Sequence, residues 1–105
     1  MFDFFRAACA VPLVGVGDVD ANLNQILSKA QQAKEAKADL LVFPELNLTG
    51  YSCADLFFQK ALLAEANQAL VQILKQSLSW DFTTVIGLPV AIQNQLYNCA
   101  VVITN

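Results

Sequence analysis

The 105-residue chain contains no histidine and few charged residues. Without histidine, any proton transfer falls to a carboxylate, an amine, a thiol or a phenol. Charged residues make up 14% of the chain and hydrophobic residues 56%, a balance that suits a sheet buried on both faces. The formal charge is −3, and no stripe of Lys and Arg is present, which argues against a surface that binds nucleic acid.

Cysteine is also scarce, with only Cys9, Cys53 and Cys99 present. An odd count without a CxxC pair argues against a disulfide framework or a zinc site and favours a reducing compartment. Cys9 and Cys99 lie within apolar runs, which predicts that both are small core residues. Cys53 has no candidate base near it in sequence, so nothing marks it as an activated nucleophile.

The sequence has no apolar run of the roughly 18 residues that a membrane helix needs. Arg6 followed by residues 7–17 has some likeness to a short signal-peptide core. However, Asp3 is acidic, only one positive charge precedes the run, and Pro12 interrupts it. We therefore expect a cytoplasmic protein that does not interact with membranes.

The first half of the chain predicts a β-α-β unit. A short apolar strand is expected over residues 4–11, and Asp18 or Asp20 is placed to cap the helix that follows. Apolar residues then recur at helical spacing as far as Lys37, before a second strand over residues 40–43. A strand, a helix and a strand in this order predict two parallel strands joined by a right-handed crossover.

The second half predicts a longer helix and a hairpin. A third strand is expected over residues 83–90 and a fourth over residues 96–104, with a polar turn at 91–95 between them. The helix before them is indicated by an apolar stripe at positions three or four apart. The stripe consists of Leu62, Leu63, Ala66, Ala69, Leu70, Ile73, Leu74 and Leu78.

The segment FPELNLTGYSC, residues 43–53, carries the candidate site. Phe43 is held extended because it precedes Pro44, and Pro44 ends the strand because it has no N–H to donate. Glu45 therefore leaves the carboxyl end of a parallel strand, where ligands bind in open α/β sheets. Its neighbours Leu46 and Leu48 are expected to exclude water from the carboxylate. A solvated loop carboxylate without a role is the alternative.

The residues that follow predict a sharp turn. Thr49 and Gly50 permit it, since glycine accepts a positive φ angle. The turn would bring the ring of Tyr51 over the mouth of the site. A packing role for Tyr51 without substrate contact is the alternative.

The segment DLLVFPELNLTGYS, residues 39–52, resembles the first catalytic motif of the carbon–nitrogen hydrolase (nitrilase) superfamily. Within this superfamily, two segments resemble the start of the glutamine amidotransferase domain of glutamine-dependent NAD synthetases. They are residues 4–27, FFRAACAVPLVGVGDVDANLNQIL, and residues 43–57, FPELNLTGYSCADLF. The resemblance implies an α/β fold, of which residues 1–105 would form the opening β-α-β-α-β-β part of a four-layer α-β-β-α sandwich.

The resemblance also implies site residues. The family uses a Glu base, a Lys and a Cys nucleophile, of which the Glu corresponds to Glu45. The family tyrosine that borders the glutamine pocket corresponds to Tyr51. The family Lys and Cys are expected beyond Asn105, because Lys60, Lys75 and the three cysteines present do not match those motifs.

The function implied is glutamine hydrolysis that supplies ammonia for ATP-dependent amidation of deamido-NAD to NAD. ATP and magnesium would belong to a synthetase domain that these 105 residues do not include, and no cofactor is expected here. We expect the 105 residues alone to be inactive and the whole enzyme to be a homo-oligomer. A stand-alone nitrilase-superfamily amidase and a non-catalytic α/β binding module are the alternatives.

Overall fold

The computed structural model describes residues 4–50 and 60–104. These residues follow the predicted β-α-β-α-β-β order, which confirms the mixed α/β fold. The elements are β1 (Ala7–Cys9), α1 (Val19–Glu35), β2 (Leu40–Val42), α2 (Lys60–Ser77), β3 (Thr83–Ile92) and β4 (Gln95–Ile103). Neither helix in these two ranges is both long and apolar enough to cross a membrane.

The four strands form one sheet in the order β1-β2-β3-β4. β1 pairs with β2 and β2 with β3 in parallel, whereas β3 and β4 are antiparallel. The predicted hairpin is confirmed, but its turn contains only Gln93 and Asn94, with φ angles of 51° and 66°. Two consecutive positive φ angles match the twist of a tight two-residue hairpin, so the strands extend further than the polar sequence suggested.

Helix α1 begins and ends on local hydrogen bonds. Asp18 is the N-cap, and its Oδ1 accepts a hydrogen bond from the Ala21 N–H at 3.1 Å. The helix ends at Glu35, two residues before the predicted end, because Lys37 has a left-handed φ of 58°. The Ala38 N–H then donates to the Ala33 carbonyl at 3.0 Å, as in a Schellman C-cap.

Both helices pack on the same face of the sheet, and this layer contains the core. The predicted stripe of α2 is confirmed for its central residues but not for Leu74 and Leu78, which are 44% and 77% exposed. Leu74 lies to one side of the buried row, and Leu78 lies beyond the end of the helix. The largest fully buried core side chains are Ile26, Leu41, Leu48, Ile73, Ile86 and Leu88.

The other face of the sheet has no helix over it in the described part of the chain. One row of paired positions across the four strands consists of Cys9, Val42, Val85 and Val102. Because side chains alternate along a strand, this row points away from the face on which the helices pack. Cys9 is exposed, so its prediction as a core residue is wrong. Cys99 is half-buried and not fully in the core, because its strand β4 lies at the edge of the sheet with β3 on one side.

The first strand is shorter than predicted, with three residues in place of the eight expected over 4–11. β1 lies at the edge of the sheet, and its neighbour β2 is itself only three residues long. The side chains of Phe4 and Phe5 are 90% and 69% exposed, so neither is held in the core. Strand length here is set by the partner strand and not by the apolar run.

Candidate active site

Glu45 lies in the turn that follows β2, a central strand of the sheet. The Phe43 N–H donates to the Val85 carbonyl at 3.0 Å, so the backbone stays extended beside β3 for one residue beyond β2. Pro44 then ends this pairing, as its missing N–H predicts. The predicted position of Glu45, beyond the carboxyl end of a central parallel strand, is confirmed.

The turn after Glu45 has a defined backbone conformation. Leu46 adopts a left-handed φ of 52°, and its carbonyl accepts hydrogen bonds from the Thr49 N–H at 3.3 Å and the Gly50 N–H at 2.8 Å. Gly50 has a φ of 96°, a value that side chains rarely permit, which confirms the predicted glycine turn. The loop that contains Glu45 is therefore folded back on itself and not extended.

Two hydrogen bonds attach this loop to strand β3 at a single residue, Gly87. The Gly87 N–H donates to Oδ1 of Asn47 at 3.0 Å, and the Leu48 N–H donates to the Gly87 carbonyl at 3.1 Å. Asn47 is only 2% exposed and Leu48 is fully buried. The Asn47 side chain thus takes the place of the backbone acceptor that a continued β2 strand would have provided.

A buried asparagine on α1 holds the same loop from the other side. Asn22 donates through Nδ2 to the Leu48 carbonyl at 2.9 Å and to the Gly15 carbonyl at 2.8 Å, while its Oδ1 accepts from the Gly15 N–H at 2.8 Å. The Gly17 N–H donates to the Thr49 carbonyl at 2.8 Å. The loop is therefore fixed between the start of α1 and strand β3.

The Glu45 side chain itself is exposed. The expectation that its apolar neighbours would exclude water from it is wrong for this part of the chain. Leu46 and Leu48 are 7% and 0% exposed because both side chains are buried beneath the loop. The loop thus separates its apolar residues, which anchor it, from its carboxylate, which faces solvent.

Glu45 borders a cleft of about 260 Å³ on the helix-free side of the loop. Phe43 and Pro44 line it with Glu45, together with Val85 and Gly87 of β3 and residues 98–100 of β4. A cleft of about 300 Å³ between β1 and α1 is lined by no carboxylate. Carboxylates also line clefts between α1 and α2 and at the amino ends of β2 and β3. Because ligands bind at the carboxyl ends of the strands in open α/β sheets, the cleft at Glu45 is the candidate active site.

Of the other candidate catalytic residues considered from the sequence, only Cys99 lines this cleft with Glu45 in the described part of the chain. Tyr51 and Cys53 lie outside the described residues. Lys60 begins α2 and Lys75 lies in its last turn, and neither lines the cleft. Among residues 4–50 and 60–104, no three His, Cys, Asp or Glu side chains lie close enough together to hold a metal ion.

Three residues that hold the loop were not singled out from the sequence: Asn22, Asn47 and Gly87. Two of them carry a signal that could have been used. Gly87 is an isolated glycine within a β-branched run, which indicates a close approach of another backbone. Asn22 is a polar residue on the apolar face of α1, between Val19 and Ile26. Asn47 carries no such signal, because its partner is 40 residues away.

Comparison with protein families and curated proteins gives matches over most of the chain. The family model described as carbon-nitrogen hydrolase matches residues 7–105. The glutamine-dependent NAD(+) synthetase of Mycobacterium tuberculosis is 36% identical over 100 residues, which is 95% of this chain but 15% of that protein. This chain therefore spans about 15% of the length of the curated relatives that it matches first.

Solved structures give the same result for the fold. The crystal structure of a glutamine-dependent NAD(+) synthetase from Cytophaga hutchinsonii matches 96% of this chain and 17% of its own, with a TM-score of 0.88 and 32% identity. An amidase from Nesterenkonia sp. matches 93% of this chain and 37% of its own, with a TM-score of 0.75 and 26% identity. Since the family model spans nearly the whole sequence, this chain belongs to the carbon-nitrogen hydrolase family.

Proposed function

We propose that these residues form the opening segment of the glutaminase domain of a glutamine-dependent NAD(+) synthetase, with Glu45 as general base. The observation that carries the proposal is the placement of Glu45, on a fixed loop at the carboxyl end of β2, with its side chain free in a cleft. Similarity to NAD(+) synthetases over 95% of the chain supports glutamine as the substrate.

The reaction proceeds in two stages in this proposal. Glu45 accepts the proton of a cysteine thiol, and the thiolate attacks the side-chain amide carbon of glutamine. Glu45 returns the proton to the nitrogen as the C–N bond breaks, so that ammonia leaves and a thioester remains. Glu45 then takes a proton from water, and the resulting hydroxide displaces the cysteine thiolate, which takes that proton back from Glu45 as glutamate departs.

The remaining groups belong to a longer protein in this proposal. A cysteine and a lysine beyond these residues act with Glu45, and the lysine stabilises the negative oxygen of the tetrahedral intermediate. A synthetase domain that uses ATP and magnesium consumes the ammonia and converts deamido-NAD to NAD. Tyr51 as a border of the glutamine pocket, the cytoplasmic location and the homo-oligomer are further parts of the proposal.

The substitution Glu45→Gln in the full-length protein tests the role of this residue. The amide keeps the size of the side chain and removes its basic oxygen. We expect glutamine-dependent NAD synthesis to fall about 100- to 10,000-fold, while synthesis from free ammonia is unchanged. Both rates are measured as NAD formed from deamido-NAD and ATP, with glutamine or ammonium chloride as the nitrogen donor.

Glu65→Gln is the matched control, because Glu65 is also an exposed carboxylate but lies on α2 away from the cleft. This variant should behave as the wild type with both nitrogen donors. Equal losses with glutamine and ammonia in Glu45→Gln would show that Glu45 is structural, and the base role would be abandoned.

A stand-alone amidase is the second candidate, and the similarity to the Nesterenkonia amidase favours it. The two candidates differ in what happens to the nitrogen. An amidase would release ammonia from simple amides and would form no NAD when given deamido-NAD and ATP. The NAD assay therefore separates the two candidates. If the protein is an amidase, the wild type makes no NAD, and Glu45→Gln abolishes its amide hydrolysis.

A further inference from the structure

Gly87 has an unusually close neighbour, which is the backbone on either side of Glu45. A Cβ atom added to Gly87 would overlap the backbone nitrogen of Leu46 and would lie 2.9 Å from the Pro44 carbonyl oxygen and 3.1 Å from the Glu45 carbonyl carbon. All three atoms belong to the backbone, so no side-chain rotation could relieve the contact. Only a hydrogen at this position lets the Glu45 loop lie against the sheet.

Strand β3 is not free to move away from such a collision. It pairs with β2 on one edge and with β4 on the other, and Gly87 itself is opposite Ala100 in the β4 ladder. The hydrogen bonds that hold the loop to β3 and α1 begin at Asn47, and Pro44 interrupts the ladder before Glu45, so residues 44–46 are less constrained than β3. A side chain at residue 87 would therefore displace the loop and move Glu45 away from the sheet.

The same glycine also fixes the loop along the strand. Its N–H donates to Asn47 Oδ1 and its carbonyl accepts from the Leu48 N–H, so residues on the C-terminal side of Glu45 are registered against β3. Nδ2 of Asn47 is buried and has no hydrogen-bond partner in the described part of the chain. Within the described residues, the Asn47 side chain is therefore held through its oxygen, by the bond to Gly87.

We propose that Gly87 is a positioning residue for Glu45, with Asn47 as the tether that acts with it. The absence of a side chain sets how closely the Glu45 backbone approaches the sheet, and the tether sets its position along β3. The inference rests on the proposed function, because it assigns to Gly87 and Asn47 the task of placing the base. A displacement of about 1 Å at a reacting group can lower a rate about 100-fold.

The test is Gly87→Ala in the full-length protein, assayed with glutamine and with ammonia. We expect kcat for glutamine-dependent synthesis to fall about 10- to 100-fold, with little change in the KM for glutamine and none in ammonia-dependent synthesis. Ile73→Val is the control for lost stability, because Ile73 is fully buried in α2, away from the cleft. It should leave kcat per folded molecule unchanged with both donors.

Asn47→Ala tests the positioning of Glu45 without adding a side chain that collides with the loop. It provides the test if Gly87→Ala does not fold. It should lower the glutamine-dependent kcat, by a smaller factor than Gly87→Ala, and leave the KM and the ammonia-dependent rate unchanged. The inference is overturned if a folded Gly87→Ala or Asn47→Ala variant retains the wild-type glutamine-dependent kcat. It is also overturned if both donors lose activity in the same proportion.

Glu45→Gln distinguishes failure of this inference from failure of the proposed function. If Glu45→Gln loses glutamine-dependent activity while Gly87→Ala and Asn47→Ala keep it, the base role stands and the positioning role is rejected. If Glu45→Gln keeps that activity, the base role and the positioning role are both rejected, whatever the other two variants do.

Discussion

Glu45 differs from other exposed carboxylates of the chain in what surrounds its backbone. Glu35 and Glu65 are exposed carboxylates on helices α1 and α2. The peptide groups that flank Glu45 are instead pressed against Gly87. A base is effective only when it is held near the proton that it removes, so a fixed backbone beneath an accessible carboxylate suits the role.

We expect the 105 residues alone to show no glutaminase activity. The sequence motifs predict that these residues supply Glu45 but neither the lysine nor the cysteine of the proposed catalytic set, and loss of one member of such a set can cost nearly as much as loss of all. Purified chain is incubated with glutamine, and ammonia is measured against a blank without protein. The expectation would be contradicted by turnover that disappears when Cys53 or Cys99 is replaced by alanine. Cys99 is included because it borders the Glu45 cleft.

The residues of the candidate site were predictable to different degrees. Local chemistry drew attention to Glu45, because a proline and a carboxylate directly follow an apolar strand, but its predicted role as the base came from the family resemblance. Its exposure was not predicted, since the burial of Leu46 and Leu48 beneath the loop depends on the packing of the whole turn. Asn47 was missed because its hydrogen bond joins segments that only the tertiary fold brings together.

At the scale of elements, the Glu45 loop depends on α1 as much as on the sheet. Asn22 connects the first turn of α1 to the loop before it, at Gly15, and to the loop after β2, at Leu48. It is 2% exposed, so these bonds form away from solvent. A single helix residue thus joins two connections that leave the same end of the sheet.

We expect Asn22→Ala to lower the free energy of unfolding by about 1–3 kcal/mol, because it leaves the buried Leu48 carbonyl and the part-buried Gly15 N–H without this partner. Asn24→Ala is the matched control, since Asn24 is exposed on the same helix, and it should change stability by less than about 0.5 kcal/mol. Urea unfolding of the two variants and the wild type measures the difference. Equal stability of the two variants would show that the Asn22 bonds contribute nothing.

The order of elements was predictable because their apolar periods differ. Strands β2 and β3 show apolar runs, and α2 shows a stripe at helical spacing that its buried residues confirm. Lengths were less predictable: β1 stops after three residues because β2 offers no more backbone to pair with, although the apolar run continues. The two strands of the hairpin instead extend further toward the turn than predicted. Gln93 and Asn94 adopt the positive φ angles that a two-residue turn needs, so residues 91, 92 and 95 belong to the strands.

At the scale of the whole molecule, the described residues make one helical layer and one sheet. This is two of the four layers that the carbon–nitrogen hydrolase resemblance implies. The helix-free face presents the row Cys9, Val42, Val85 and Val102, and Val102 is 60% exposed. An apolar sheet face of this kind is costly in water, and its residues contribute to the hydrophobic fraction of 56%.

We expect the isolated chain to self-associate through this face and through its edge strands β1 and β4, whose outer backbone groups have no strand partner in the described ranges. Val102→Lys should reduce association by placing a charge on the apolar row. Val71→Lys is the matched control, because it makes the same change in net charge at a 49% exposed valine on α2. Light scattering across a dilution series measures all three proteins. Identical association of the two variants would show that the chains associate through a surface other than the helix-free face. A wild-type chain that stays monomeric and melts cooperatively would show that this face is stable in water.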